Sequence, residues 1–387
     1  MNVLSGRAVS LPASPIRAMM AQAARFPDAI RLEMGEPDFT TPEPYMEAAF
    51  AAARGGATHY TPTVGIPELR RAIAARLQAD YGLDVDPERE IMVSVGTVGA
   101  LGVACLAVIQ PGDEVLVPDP GWPVYRSQIA LAGGVVVSVP LREENAFHMQ
   151  PEDVEARITP RTRVLIINSP HNPTGAVLSE AELRGIAEVA YRHGLVVISD
   201  EVYEKLLYDG RRHFPLASIP EIRPQVITVS GVSKTYAMTG WRLGYAYATA
   251  ELISAMARIQ ECLASCPSSV SQHAALAAIG GDQEPVARMW EQYERRRRFL
   301  VEGLNRLPGI SCLMPEGAFY AFPSVKALGR PSAHLAQDLL VRGGVVTVPG
   351  SGFGEGGEGY LRLSYATSLE ALREALHRME KFLAARH

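Results

Sequence analysis

The chain reads as an α/β protein in which helices cover a mostly parallel seven-stranded sheet, followed by a smaller α+β unit. Three observations lead there. Seven short runs, at residues 91–95, 114–118, 135–139, 163–167, 195–199, 226–229 and 243–248, have the near-continuous Val/Ile/Leu character of strands buried on both faces. Helical patterns such as 97–109 and 179–193 lie between several of them, and that alternation implies parallel crossovers. After about Pro267 the texture changes. A long helical segment at 269–307 is followed by an apolar patch at 319–322, a helix near 332–342, strands at 345–348 and 360–365, and a terminal helix from Leu369. The expected division is an N-terminal arm with part of a small domain at 1–45, a large domain at 46–285 and a C-terminal small domain at 286–387.

The first 26 residues carry Arg7, Arg17 and Arg25 with no acid before Asp28, a faint likeness to a transit peptide. Their apolar residues are scattered and broken by Pro12 and Pro15, so an arm leading into a short helix is expected instead. With 387 residues, 47% hydrophobic and 20% charged, the composition is that of an ordinary globular protein. A net charge of -5 offers no basic footprint for nucleic acid or a membrane surface. No apolar run approaches the roughly 20 residues that span a bilayer. Cys105, Cys262, Cys266 and Cys312 show no CxxC spacing and read as reduced, mostly buried thiols of a cytoplasmic protein.

In open parallel sheets ligands bind at the carboxyl ends of the strands, and the polar candidates follow strands here. Lys234 comes just after the run ending at Val229. A buried ammonium must be neutralised, paired or used covalently, and one use is a Schiff base with an aldehyde cofactor. The competing reading is a lysine in a surface loop. Asp200 closes the run 196–199. Alone it is a helix cap or half of a salt bridge; beside a Schiff-base lysine it would keep a pyridine nitrogen protonated, letting the ring withdraw electrons. Tyr203 could then donate to a phenolate oxygen on that ring, and Asn172, in the turn His171-Asn172-Pro173-Thr174-Gly175, could reach the same oxygen. The Asn172–Pro173 bond is one where the cis form is allowed.

Gly96-Thr97-Val98-Gly99 joins a strand to a helix, and free N–H groups at a helix N-terminus form an anion site. No Gly-Lys-Ser/Thr follows, so the anion would be one phosphate, shared by the Thr97 and Val98 amides, Ser233 and Arg242. Trp122, in a Pro/Gly turn after a strand, could stack on a planar cofactor or simply plug the surface. Arg362 lies within an apolar strand, where its fork grips a carboxylate or makes an internal salt bridge.

As a set, Asn172-Pro173-Thr174-Gly175, Asp200-Glu201-x-Tyr203, Ser233-Lys234 with Arg242 eight residues on, and Arg362-Leu363-Ser364 resemble the class I/II aminotransferases. These are pyridoxal-phosphate enzymes of the aspartate aminotransferase superfamily, fold type I. Gly35-Glu36-Pro37-Asp38-Phe39, His59-Tyr60-Thr61-Pro62, Gly65-Ile66-Pro67-Glu68-Leu69-Arg70 and Gly317-Ala318-Phe319-Tyr320 match in order, so the resemblance runs from about residue 14 to the end. It implies that Lys234 forms the Schiff base with pyridoxal 5'-phosphate and shuttles the proton. It also implies that Asp200 pairs with the pyridinium, Tyr203 and Asn172 hold the ring oxygen, and Trp122 stacks on the ring. Arg362, beside the Gly35 backbone, would take the α-carboxylate of the small-molecule amino acid or 2-oxo acid. Tyr60 would reach the phosphate of the neighbouring subunit, implying a homodimer.

Three departures from the family pattern matter, the first for the phosphate and the other two for the substrate. Gly231 stands where many relatives carry Ser, Val98 stands where an aspartate-specific subgroup carries Lys, and Cys266-Pro267-Ser268-Ser269-Val270 lacks an arginine that some aspartate enzymes contribute across the dimer. A buried carboxylate without a partner is strongly disfavoured, which turns the expectation toward neutral aliphatic or aromatic donors. A C–S lyase ending in β- or γ-elimination is the alternative on the same fold. A non-catalytic ligand sensor is the third reading, disfavoured because no DNA-binding domain fits before Ser14. Gly352–Gly357 fits G-x-G-x-x-G but leads into a strand, against a dinucleotide site. Arg295–Arg298, beside Glu291 and Glu294, reads as a solvated helix face, and Cys262, Cys266 and His273 make no metal set.

Overall fold

The computed structural model describes residues 3–11 and 14–385; residues 1, 2, 12 and 13 of the expected arm lie outside the described residues. A two-residue strand β1 (Ile30–Arg31) comes first. The seven anticipated strands follow: β2 (Ile91–Ser94), β3 (Glu114–Asp119), β4 (Val135–Pro140), β5 (Thr162–Asn168), β6 (Val196–Asp200), β7 (Val226–Gly231) and β8 (Gly244–Tyr247). They form one sheet in the order β2-β8-β7-β6-β5-β3-β4, parallel except for β8, which runs against both neighbours.

Side chains alternate across each strand, and both faces are covered. Leu165, Ile167, Val197 and Val226 enter one apolar core, while Val164, Ile166, Ile198 and Ile227 enter the other. That is why the strands read as unbroken apolar runs. Each such side chain, fully buried, stabilises the fold by about 1.5–3 kcal/mol relative to exposure. The helix between β5 and β6 starts where the sequence supplies partners for its free amides: Ser179 and Glu182 form a reciprocal capping box on Glu180–Arg192.

A third core belongs to the C-terminal unit. It contains β9 (Tyr320–Ala321), β11 (Val348–Pro349) and β12 (Leu361–Ser364), joined antiparallel in the order β11-β12-β9, while β10 (Val345–Val346) pairs in parallel with β1. Met19, Ala23 and Leu32 share this core with Leu300, Leu335 and Leu372, so the N-terminal segment packs with the C-terminal one.

Several expectations need correction. The segment 269–307 is two helices, Ser269–Gly280 and Glu284–Leu304, interrupted at Gly281. A helix at Ala250–Ala264 was not anticipated. Arg295 and Arg298 are exposed, but Arg296 and Arg297 are buried: Arg296 pairs with Asp38 at 2.7 Å and Arg297 with Asp209 and Glu294. Cys105 and Cys312 are buried, whereas Cys262 is exposed and Cys266 half-buried; all four are free thiols. Among the described residues no helix is long and apolar enough to cross a membrane.

Candidate active site

A cavity of about 470 Å³ opens at the carboxyl ends of β2, β3, β5, β6 and β7. Helix Pro15–Ala23 contributes Ile16, Arg17 and Met20 to its wall, and Gly35, Glu36, Tyr320 and Arg362 come from the C-terminal core's side. Eleven of the twelve sequence-derived candidates line it: Gly35, Thr97, Val98, Trp122, Asn172, Asp200, Tyr203, Ser233, Lys234, Arg242 and Arg362. Tyr60 does not; it is 89% exposed and is not part of this chain's cavity wall.

Lys234 sits in the single turn Val232–Thr235 that follows β7. Its amine donates to the Gly35 carbonyl. Its pKa is lowered to about 8; burial is the largest cause, opposed by Glu36 and Asp200 and reinforced by Arg362 and Arg242. Glu36, missed in the sequence, is fixed by a 3.0 Å hydrogen bond from the Thr239 hydroxyl. Gly35 is glycine for a spatial reason: a Cβ there would lie 2.8 Å from the Tyr320 hydroxyl oxygen.

Asp200 ends β6, in register with Asn168 on one side and Val229 on the other. The Tyr125 hydroxyl donates to its Oδ2 at 2.7 Å and the Val202 N–H to its Oδ1 at 3.3 Å. Burial pushes its pKa up to about 6, although both hydrogen bonds and the Lys234 charge pull the other way. Neither Tyr125 nor Asn168 was identified from sequence. Asn168 closes an apolar strand as Asp200 does, which was the available signal; it donates to the Asp200 carbonyl at 3.0 Å and accepts from the Asn172 N–H at 2.9 Å. Tyr125, on helix Val124–Ala132, carries no such mark. The Asn172–Pro173 bond is cis.

Arg362 is buried in β12. Its guanidinium donates to the Glu33 carbonyl at 2.6 Å and to Asn172 Oδ1 at 3.3 Å, and lies 4.6 Å from the Tyr320 ring centre. Its Nε has no partner, and among the described residues no carboxylate pairs with it, so the salt-bridge reading fails. Tyr203 and Tyr320 share a 2.7 Å hydrogen bond between hydroxyls.

At the other end of the cavity, helix Gly96–Val108 begins without a side-chain cap, leaving its first amides available. Gly96 has φ +70°, and a Cβ on it would meet Arg242 Nη2 at 2.6 Å. Arg242 is exposed and anchored by a 2.8 Å bond to the Thr239 carbonyl. The Thr97 hydroxyl donates to the Ser230 carbonyl at 3.1 Å, and a Cβ at Gly231 would lie 2.5 Å from the Thr97 Oγ1. Glycine at 231 therefore makes room for Thr97. Trp122 forms part of the wall, edge-on to Tyr125 with ring centres 5.5 Å apart.

The comparisons with known proteins agree with this arrangement. Residues 27–379 match the model of the family described as aminotransferase class I and II. The chain is 44% identical to an aspartate aminotransferase of Pyrococcus abyssi, over 96% of this chain and 95% of that protein. It is 43% identical to aromatic-amino-acid aminotransferase 2 of Thermococcus litoralis, over 98% of each. The crystal structure of Thermus thermophilus aspartate aminotransferase with maleate superposes with a TM-score of 0.94 at 42% identity, covering 99% of this chain and 100% of that one. The chain belongs to the class I and II aminotransferases, a pyridoxal-phosphate-dependent family of enzymes.

Proposed function

We propose that this chain binds pyridoxal 5'-phosphate and, as a cytoplasmic homodimer, moves the amino group of a neutral aliphatic or aromatic L-amino acid to a 2-oxo acid. The observation that carries this reading is a buried guanidinium without a carboxylate, Arg362, opening on the same cavity as a buried amine whose pKa is lowered to about 8, Lys234. The residues present fit the cofactor. The uncapped amides at Thr97 and Val98, with Ser233 and Arg242, would hold the phosphate, joined by Tyr60 of the partner subunit. Asp200 would hold the ring nitrogen, Asn172 and Tyr203 the ring oxygen, and Trp122 the ring face. When bound, the group supplies an aldehyde carbon for the amine and a ring that takes up electrons from the substrate's Cα.

Arg362 orients the substrate by its α-carboxylate, with Asn172 and Gly35 beside it. Lys234 then takes the proton from Cα. An amine titrating at about 8 is well matched to that exchange near neutral pH. Val98, where an aspartate-specific subgroup carries lysine, supports a neutral donor. The direct test is a single-turnover absorbance screen of the holoenzyme across the common amino acids. Accumulation of the aminated cofactor with release of a 2-oxo acid is expected. Pyruvate and ammonia released without an acceptor would instead mean elimination.

A further inference from the structure

The glycine-rich run Gly352–Gly357 closes on an acid. Asp119 ends β3 as Asp200 ends β6, and it is buried. Its Oδ1 accepts the Gly356 N–H at 2.9 Å, while Oδ2 takes Arg126 Nη2 at 3.1 Å and the Ser138 hydroxyl at 3.0 Å. One carboxylate is thus filled from two sides, by the large sheet's residues and by a loop of the C-terminal unit. Two of the glycines make that approach possible. Gly354 has φ +126°, and a Cβ on it would overlap Asp119 Oδ1; a Cβ on Gly356 would lie 2.7 Å from the Asp119 carbonyl oxygen.

The same loop reaches toward the cavity at both ends. The Phe353 carbonyl accepts the Gly121 N–H at 2.8 Å, one residue before Trp122. The Phe353 ring centre lies 5.1 Å from the Arg362 guanidinium carbon. We propose that Asp119 is a positioning residue that, by pinning this loop, sets the spacing between Trp122 and Arg362. On the aminotransferase reading, on which this rests, that is the spacing between the cofactor's ring face and the substrate's carboxylate. Many buried acids between two parts of a chain do no more than hold them together. Here the parts are two walls of one site, and binding groups must be held to within about 0.5 Å for a bound substrate to react efficiently. Asp119 and Phe353 are not part of the cavity wall, so their effect on substrate passes through Trp122 and Arg362.

The test compares Asp119→Ala, Asp119→Asn and Gly354→Ala. In Asp119→Ala holoenzyme, KM for amino acid donors should rise about tenfold while kcat changes less than about twofold. The visible circular dichroism of the bound cofactor, which reports ring orientation, should weaken. In the cofactor-free protein, deuterium exchange at the Gly121 and Gly356 amides should speed up about tenfold. Asp119→Asn keeps Oδ1 as an acceptor for Gly356 and should stay within about threefold of wild type on each measure. Gly354→Ala displaces the loop and should match Asp119→Ala, with little added loss in the double variant. Unchanged KM and dichroism in Asp119→Ala and Gly354→Ala overturn the proposal, even if melting temperature falls. Equal losses in Asp119→Asn and Asp119→Ala also overturn it, tracing the effect to the Arg126 ion pair. Should Asp119→Ala fail to fold, Gly354→Ala with normal KM and dichroism is the overturning result. A wild type that transfers to no 2-oxo acid refutes the aminotransferase reading instead, and dichroism with amide exchange still decides Asp119.

Discussion

Tyr125 and Asp200 are joined by a 2.7 Å hydrogen bond that runs from the helix after β3 to the end of β6. The donor stabilises the ionised carboxylate inside a site whose burial works against ionisation. Asp200 thus stays available as an anion close to neutral pH because the helix after β3, two strands away in the sheet, supports it.

Tyr125→Phe removes that support. The Asp200 pKa should rise further from about 6, so that the carboxyl is protonated over more of the range near neutrality. Cofactor affinity, read by absorbance titration, should weaken about tenfold at mildly acidic pH, with a smaller loss in alkaline buffer where Asp200 ionises anyway. A loss independent of pH would count against the hydrogen bond as the cause.

The lowered pKa of Lys234 makes a kinetic prediction for the cofactor-free protein. The neutral amine is the nucleophile, so the rate of condensation with pyridoxal phosphate should rise with pH and level off above about 8, rather than climbing toward 10.5. Stability carries the same signature. The unfolded chain keeps this proton up to about 10.5 and the folded chain only to about 8, so wild type gains stability relative to Lys234→Ala as pH rises between those values. Denaturant melts of the two cofactor-free proteins check it. Lys234→Ala should also lose turnover by at least about 1000-fold.

Arg362→Gln should raise KM for amino acid donors by about 100-fold while leaving cofactor affinity nearly unchanged. The native guanidinium is buried with an unpaired Nε and no anion, so its loss should cost the empty protein little stability. A large drop in melting temperature without a KM effect would assign it a purely structural role.

Val98→Lys places a cation on the cavity wall at a position that is 38% exposed. The kcat/KM for aspartate should increase about tenfold relative to that for a neutral amino acid. Steady-state competition between the two donors reads this ratio directly.

The strands were legible because burial on both faces leaves little room for polar residues, and their ends were legible because Asp200 and Asn172 interrupt or follow those runs. Tyr125 was not, since an aromatic on a helix looks the same whether its hydroxyl meets water or a carboxylate 75 residues away. Arg296 and Arg297 were misread for a related reason. Their acids, Asp38 and Asp209, arrive from distant segments, while the local sequence offers only the appearance of a charged helix face. The break at Gly281 was visible as Gly280-Gly281, but the apolar pattern on either side masked it. Tyr60 is a different case: its role, as the resemblance has it, lies on a second copy of the chain.

The bond from Lys234 to the Gly35 carbonyl crosses between two cores: one residue follows the last parallel strand of the large sheet, the other follows Leu32 in the C-terminal core. Used covalently, as proposed, this amine would give up that bond, and one polar tie between the two cores would go with it.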